Sequence, residues 1–97
     1  TGAENDVGLC KRISNLMNKR PVLLCGKTDL RTLAAVFKKA RWVISNDSGP
    51  MHIAAALKTP LVALFGPTSP GITGPYGGGI TRVLQKELDC EIPCYNL

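Results

Sequence analysis

Apolar residues in this chain form helical stripes that alternate with short continuous runs. The first stripe lies between residues 6 and 18 and predicts an amphipathic helix, with Asn5 or Asp6 as its cap. The second predicts a helix that begins after Thr28 or Asp29. A third helix is predicted over the Ala-rich segment Met51–Leu57. The stripe residues of the first two helices are Val7, Cys10, Ile13, Leu16 and Met17, then Leu30, Leu33, Ala34, Phe37 and Ala40.

The continuous apolar runs predict extended segments. The first, residues 22–25, is a strand or an extended loop, and residues 42–45 and 80–84 predict short strands. The run Leu61–Phe65 has no polar position at all, which is typical of a strand covered on both faces of a parallel sheet. The Gly- and Pro-rich segment 66–79 predicts a long functional loop. Helices alternating with strands indicate one small, doubly wound α/β domain.

Composition limits the classes of partner. The net charge is +5, and basic residues cluster at Lys11–Arg12, Lys19–Arg20 and Lys38–Arg41. Each cluster lies near a predicted helix end, so the charges are solvated helix termini or an attraction for an anionic substrate or a membrane surface. Nucleic acid is not expected, because aromatic residues make up 5% of the chain and do not alternate with the basic ones.

The four cysteines do not predict a disulfide scaffold. Cys10 and Cys25 lie in apolar phase and are expected as small buried hydrophobic residues. Cys90 and Cys94 form a C-x3-C pair, which needs further ligands beyond Leu97 for a metal or redox role. No apolar run approaches the ~20 residues of a membrane span, and no signal peptide is recognisable. The ends of the sequence suggest a fragment of a longer protein.

The clearest candidate chemistry lies in the turn between residues 42–45 and the third helix. Its unpaired backbone N–H groups and the positive end of the helix dipole predict a phosphate site. Asp47 is either a turn residue or an acceptor for ligand hydroxyls, and His52 is either a core histidine beneath Trp42 or a donor to phosphate or hydroxyl. Asp47, Ser48, Gly49, His52 and Thr68 are expected at one sheet edge, outside the strand carboxyl ends. Dinucleotide, Walker, nucleophile-elbow and metal-ligand patterns are absent from the sequence.

Several motifs match a known family. Residues 46–57 contain D-S-G-P-x-H, followed by F-G-P-T within residues 59–70 and T-G-P-Y-G at residues 73–77. With these motifs the chain strongly resembles the ADP-heptose:lipopolysaccharide heptosyltransferase family, glycosyltransferase family 9. Residues 26–30 look like its G-K-[ST]-x-L motif, residues 2–4 look like its G…E motif, and the C-x-x-P-C tail is similar to a Cys-containing segment of the family.

The resemblance implies a GT-B glycosyltransferase with two Rossmann-like domains that face each other across a cleft. Residues 1–97 would then be one incomplete nucleotide-sugar-binding domain, an open parallel sheet with flanking helices from the C-terminal half. The N-terminal acceptor domain, which carries the family's general base, is absent, so no catalytic residue is expected in this chain. No metal and no other cofactor is expected, and an ADP-sugar is the co-substrate.

The resemblance also implies roles for individual residues. Asp47 would bind the hydroxyls of the donor sugar, and the backbone N–H groups of Ser48 and Gly49 would bind the diphosphate. His52 would hold the phosphate end. Two shorter motifs imply further donor contacts, with Glu4 at the ribose and Lys27 and Thr28 at the adenine.

The expected activity is transfer of heptose from ADP-heptose to a lipid-linked inner-core saccharide. It would take place at the cytoplasmic face of the inner membrane of a Gram-negative bacterium, with peripheral membrane association through the full-length protein. Two alternatives stay open. One is a GT-B enzyme that uses another nucleotide sugar, and the other is a non-catalytic nucleotide-binding module.

Overall fold

A computed structural model of the protein describes residues 1–67, 69–75 and 79–86. The chain divides into two compact units, Thr1–Leu33 and Ala34–Leu97, which are described separately. A 3-10 turn at Glu4–Asp6 precedes the first helix. The helices are α1 (Val7–Leu16), α2 (Leu30–Lys39), α3 (Gly49–Ala56) and α4 (Pro70–Thr73), and the strands are β1 (Val43–Asn46), β2 (Leu61–Phe65) and β3 (Thr81–Gln85).

The second unit contains a three-stranded parallel sheet in the order β1-β2-β3. Val43 lies opposite Leu61, and Leu61 lies opposite Thr81. Helix α3 connects β1 to β2 and packs on both strands. These features confirm the predicted open parallel sheet with flanking helices, and they place the carboxyl ends of the three strands at one edge. The short helix α4 was not predicted, and it lies within the segment expected to be loop.

The core of this unit lies on one face of the sheet. Met51 and Ala54 of α3 are fully buried, and so are Leu61 and Ala63 of β2. The prediction that both faces of β2 are covered is wrong, because burial alternates along the strand and Leu64 is 42% exposed. Successive side chains of a strand point to opposite faces, so a continuous apolar run does not by itself show that both faces are buried.

The connection from α3 to β2 is tightly bonded. Lys58 has the left-handed backbone angle φ 58° and donates its N–H to the carbonyl of Ala55. The N–H of Thr59 donates to Ala54, as at the end of many helices. The buried hydroxyl of Thr59 donates to the carbonyl oxygen of Phe37 in α2 at 3.0 Å. This turn therefore joins the ends of α2 and α3.

A disulfide in the first unit joins Cys10 of α1 to Cys25. The expectation that both residues are buried hydrophobic thiols is therefore wrong: Cys25 is buried, but Cys10 is half-buried and bonded to it. Residues 21–25 form no strand, in agreement with the alternative of an extended loop. The apolar stripe of α1 stays largely in contact with solvent, since Leu16 is 86% exposed.

Side chains at the helix starts follow the capping predictions in part. Asp29 Oδ1 accepts the N–H of Thr32 at 2.7 Å, which makes Asp29 the cap of α2. Asp6 Oδ2 accepts the N–H of Ala3 at 3.0 Å and so closes the preceding 3-10 turn instead of capping α1.

Among the described residues, no helix has the length and apolarity to cross a membrane. Thr68, Cys90 and Cys94 lie outside the described residues.

Candidate functional site

The turn from β1 to α3 is fixed to the neighbouring strand. The N–H of Asp47 donates to the carbonyl oxygen of Leu64 in β2 at 3.2 Å. Asp47 and Ser48 are both half-buried. This bond is made by the backbone and helps to hold the turn at the carboxyl edge of the sheet.

Helix α3 begins without a cap from the side chain of its N-cap residue. That residue is Ser48, which is in extended conformation, and Pro50 lies in the first turn as predicted. The Ser48 hydroxyl donates instead to the carbonyl of Asn46 at 3.2 Å and lies 3.4 Å from the hydroxyl of Ser45. The first turn of α3 therefore presents backbone N–H groups and the positive end of its dipole, the combination that binds phosphate.

His52 lies in the first turns of α3 and is exposed. The interpretation of His52 as a core histidine beneath Trp42 is therefore wrong. The buried face of this helix is formed by Met51, Ala54 and Ala55. An exposed imidazole close to the helix start is available to a ligand that approaches the edge of the sheet.

A second segment leaves the same edge after β2. Gln85 at the end of β3 lies opposite Phe65, and its Nε2 donates to the carbonyl oxygen of Gly66 at 3.0 Å. Gln85 is not among the predicted site residues, because the predicted strand ends at Leu84 and β3 ends at Gln85. The signal that could have found it is a polar residue at the carboxyl end of a parallel strand.

The first unit carries the other predicted donor-binding residues around Gly26. The N–H of Gly26 donates to the carbonyl of Gly2 at 2.9 Å, and that of Lys27 donates to Leu24 at 3.0 Å. Gly26 has φ 70°, and a Cβ there would lie 3.1 Å from the Cα of Glu4. Only glycine meets both requirements without strain.

The two groups of predicted site residues belong to different units. Asp47, Ser48, Gly49 and His52 share one turn and helix start in the second unit. In the first unit, the Gly26 turn brings Glu4 next to the segment that carries Lys27 and Thr28. Glu4 and Lys27 are exposed and Thr28 is half-buried. Each group can therefore offer polar side chains to a ligand from its own unit.

Asp29, two residues after Lys27, is a carboxylate with a shifted pKa. Its pKa is lowered, chiefly because the backbone N–H of Thr32 donates to the charged carboxylate, with the Thr32 hydroxyl contributing. A lowered pKa is expected for a carboxylate that caps the start of a helix, as Asp29 does in α2. In the described part of the chain, no cluster of three or more His, Cys, Asp or Glu side chains could hold a metal ion.

Comparison with protein families gives a match over almost the whole chain. Residues 1–95 match the model of "Glycosyltransferase family 9 (heptosyltransferase)". Lipooligosaccharide heptosyltransferase 2 of Haemophilus influenzae is 46% identical over 69 residues, which is 69% of this chain and 20% of that protein. Lipooligosaccharide heptosyltransferase 2 of Campylobacter jejuni is 35% identical over 89% of this chain and 28% of that protein.

A solved structure has the same fold. The crystal structure of a family 9 glycosyl transferase from Veillonella parvula superposes with a TM-score of 0.83 at 34% identity, and the match covers 93% of this chain and 26% of that one. The chain thus spans between 20% and 28% of the length of these relatives. The family match over residues 1–95 includes the turn after β1 and the start of α3.

Proposed function

The chain belongs to glycosyltransferase family 9, the heptosyltransferases, and on that basis we propose that it binds the nucleotide-sugar donor of such an enzyme. The observation that carries the proposal is the start of α3, which the Ser48 hydroxyl does not cap and which follows a carboxylate and a hydroxyl at the carboxyl edge of a parallel sheet. Anions bind at such helix starts, and ligands of open α/β sheets bind at this edge.

We assign roles to the residues of each unit separately. The diphosphate lies at the N–H groups of Ser48 and Gly49, with His52 at its phosphate end and Asp47 at the sugar hydroxyls. Glu4 contacts the ribose, while Lys27 and Thr28 line the adenine. The donor is ADP-heptose, in keeping with the heptosyltransferase names of the relatives.

The reaction is a displacement at the anomeric carbon of the donor sugar. A hydroxyl of the acceptor forms the new glycosidic bond as the bond to the diphosphate breaks, and ADP leaves with the electron pair. Negative charge grows on the leaving diphosphate, and the oriented N–H groups at the start of α3 stabilise it. The base that takes the hydroxyl proton belongs to the acceptor domain, outside this chain, and the stabilisation by N–H groups needs no metal ion.

The acceptor is a lipid-linked inner-core saccharide. The relatives' names support this assignment, since "Lipopolysaccharide core heptosyltransferase OpsX" of Haemophilus influenzae is 36% identical over 76% of this chain. For such an acceptor, we propose that the complete enzyme works as a peripheral protein at the cytoplasmic face of the inner membrane of a Gram-negative bacterium. The net charge of +5 suits an anionic acceptor.

Calorimetric titration of the complete protein separates the proposal from its alternatives. We expect the protein to bind ADP and ADP-heptose, and to bind UDP at least tenfold more weakly. Addition of EDTA should leave the affinity for ADP unchanged. A preference for UDP would instead assign the chain to a GT-B enzyme with another donor. Binding of ADP without any transfer to deacylated inner-core saccharide would identify a non-catalytic module, and no binding of any nucleotide would reject the proposal.

A further inference from the structure

Gln85 extends the pairing of β2 and β3 by one side-chain hydrogen bond. It lies opposite Phe65, the last residue of β2, and its Nε2 reaches the carbonyl oxygen of the next residue, Gly66, at 3.0 Å. The bond joins residues 19 positions apart in the sequence. Gln85 therefore acts where the backbone ladder ends and the chain turns away from the sheet.

Gly66 needs an external support of this kind. It has no side chain, and a Cβ at this position would meet no atom of the described residues within 4 Å, so their side-chain packing does not confine it. Pro67 follows and has no N–H to donate, which removes one means of fixing the turn. An amide that holds the Gly66 carbonyl thus determines the orientation of the Gly66–Pro67 peptide.

The turn that begins at Gly66 leaves the sheet from β2, the neighbour of the strand β1 that leads into the proposed diphosphate site. Leu64, two residues before Gly66, accepts the hydrogen bond from the N–H of Asp47. A carbonyl oxygen carries partial negative charge and repels a phosphate when it faces one. Bonded to Gln85, the Gly66 carbonyl is directed toward an amide donor and its charge is partly compensated.

We propose that Gln85 is a positioning residue for the donor diphosphate, which it favours by fixing the Gly66 carbonyl in an orientation compatible with the anion. This inference rests on the proposed function, because it requires the diphosphate to lie at the start of α3. In this role Gln85 acts through the carbonyl of Gly66.

Two variants of the complete protein remove the donor group of Gln85 with little change of shape. Gln85→Met has a similar length and no N–H, and Gln85→Glu replaces the amide by an acceptor with negative charge. We expect Gln85→Met to lower the affinity for ADP about fivefold, the effect of one lost hydrogen bond. Gln85→Glu should lower this affinity further. Val83→Met, two residues earlier on the same face of β3, is the matched control and should bind ADP as the wild type does.

AMP provides the readout that separates positioning from a general loss of structure. Because AMP lacks the second phosphate, we expect its affinity to change less than twofold in Gln85→Met, with an unchanged thermal midpoint. Equal weakening of AMP and ADP, an equal effect of Val83→Met, or ADP binding within twofold of wild type in Gln85→Met would each overturn the inference. Failure of the wild-type protein to bind ADP would instead reject the proposed function.

Discussion

The backbone N–H of Asp47 donates to the carbonyl oxygen of Leu64 at 3.2 Å, which ties the turn after β1 to the end of β2. The main chain thus contributes to the position of Asp47 in the fold. The free energy of unfolding of an Asp47 variant, measured beside its ligand affinity, separates the contribution of the carboxylate to binding from its contribution to folding.

Asp47→Ala should weaken binding of ADP-heptose at least tenfold and leave binding of ADP within twofold of wild type. The reason is that the carboxylate is proposed to accept hydrogen bonds from the sugar hydroxyls, and hydrogen bonds to charged groups contribute about 1.5–3 kcal/mol. Calorimetric titration of the complete protein with both ligands measures the difference. Asn46→Ala, at the exposed neighbouring position, is the control. Unchanged ADP-heptose affinity in Asp47→Ala would leave Asp47 as a turn residue only.

Thr59→Val should lower the free energy of unfolding by about 1 kcal/mol. Valine has nearly the same shape as threonine, but it cannot donate to the carbonyl oxygen of Phe37, so one buried hydrogen bond is lost. Chemical denaturation of the complete protein measures the change. Thr59→Ser keeps the hydroxyl and should retain the hydrogen bond. If Thr59→Val is as stable as wild type, the link between α2 and the end of α3 makes no net contribution.

Lys58→Gly should raise the free energy of unfolding by about 0.5–1 kcal/mol. Lys58 has φ 58°, a left-handed conformation that glycine adopts without the steric cost of a Cβ. Chemical denaturation of the complete protein measures this change in the free energy of unfolding. Lys58→Ala removes the charge but keeps the Cβ, and it should leave stability close to that of wild type. A gain in Lys58→Ala equal to that in Lys58→Gly would show that charge, not backbone conformation, is responsible.

The disulfide between Cys10 and Cys25 should stabilise the first unit by limiting the unfolded chain. The two residues are 15 apart in the sequence, and closing a loop of that length contributes about 3 kcal/mol in the chain-entropy model. We expect Cys10→Ser/Cys25→Ser and chemical reduction to lower the unfolding free energy of the complete protein equally. Peptide mapping without reductant checks the bond directly. Free thiols in protein purified under oxidising conditions would contradict the pairing.

Lowering the pH should destabilise the start of α2, because protonation of Asp29 neutralises the carboxylate that caps this helix. Because the folded pKa of Asp29 is lowered, the charged carboxylate contributes stability above its unfolded pKa, about 4, and this contribution is lost as the pH falls through the lower folded pKa. Denaturation midpoints of wild type and Asp29→Asn, compared between about pH 5 and 2, should converge as the pH falls. High salt should reduce the difference in stability between wild type and Asp29→Asn, since the Asp29 carboxylate is exposed. A constant difference across this range would assign the effect to another group.

Local sequence determined the elements around the candidate site. The apolar run Leu61–Phe65 coincides with β2, and the order Asp47-Ser48-Gly49-Pro50 predicted a turn and a helix start where the structure has them. These predictions hold because proline's fixed φ and the low helix cost of Ala act within a few residues. The motif D-S-G-P-x-H likewise indicated the family from residues adjacent in the chain.

Only the tertiary structure decided which side chains are covered and which distant residues meet. It left Leu64 partly exposed on a face of β2 that the apolar run predicted to be buried, and it joined Cys10 to Cys25. It also brought Gln85 to the carbonyl of Gly66. Local propensity cannot fix such contacts, because they depend on the register between strands and on the elements packed against each face, both of which are set by residues far apart in the sequence.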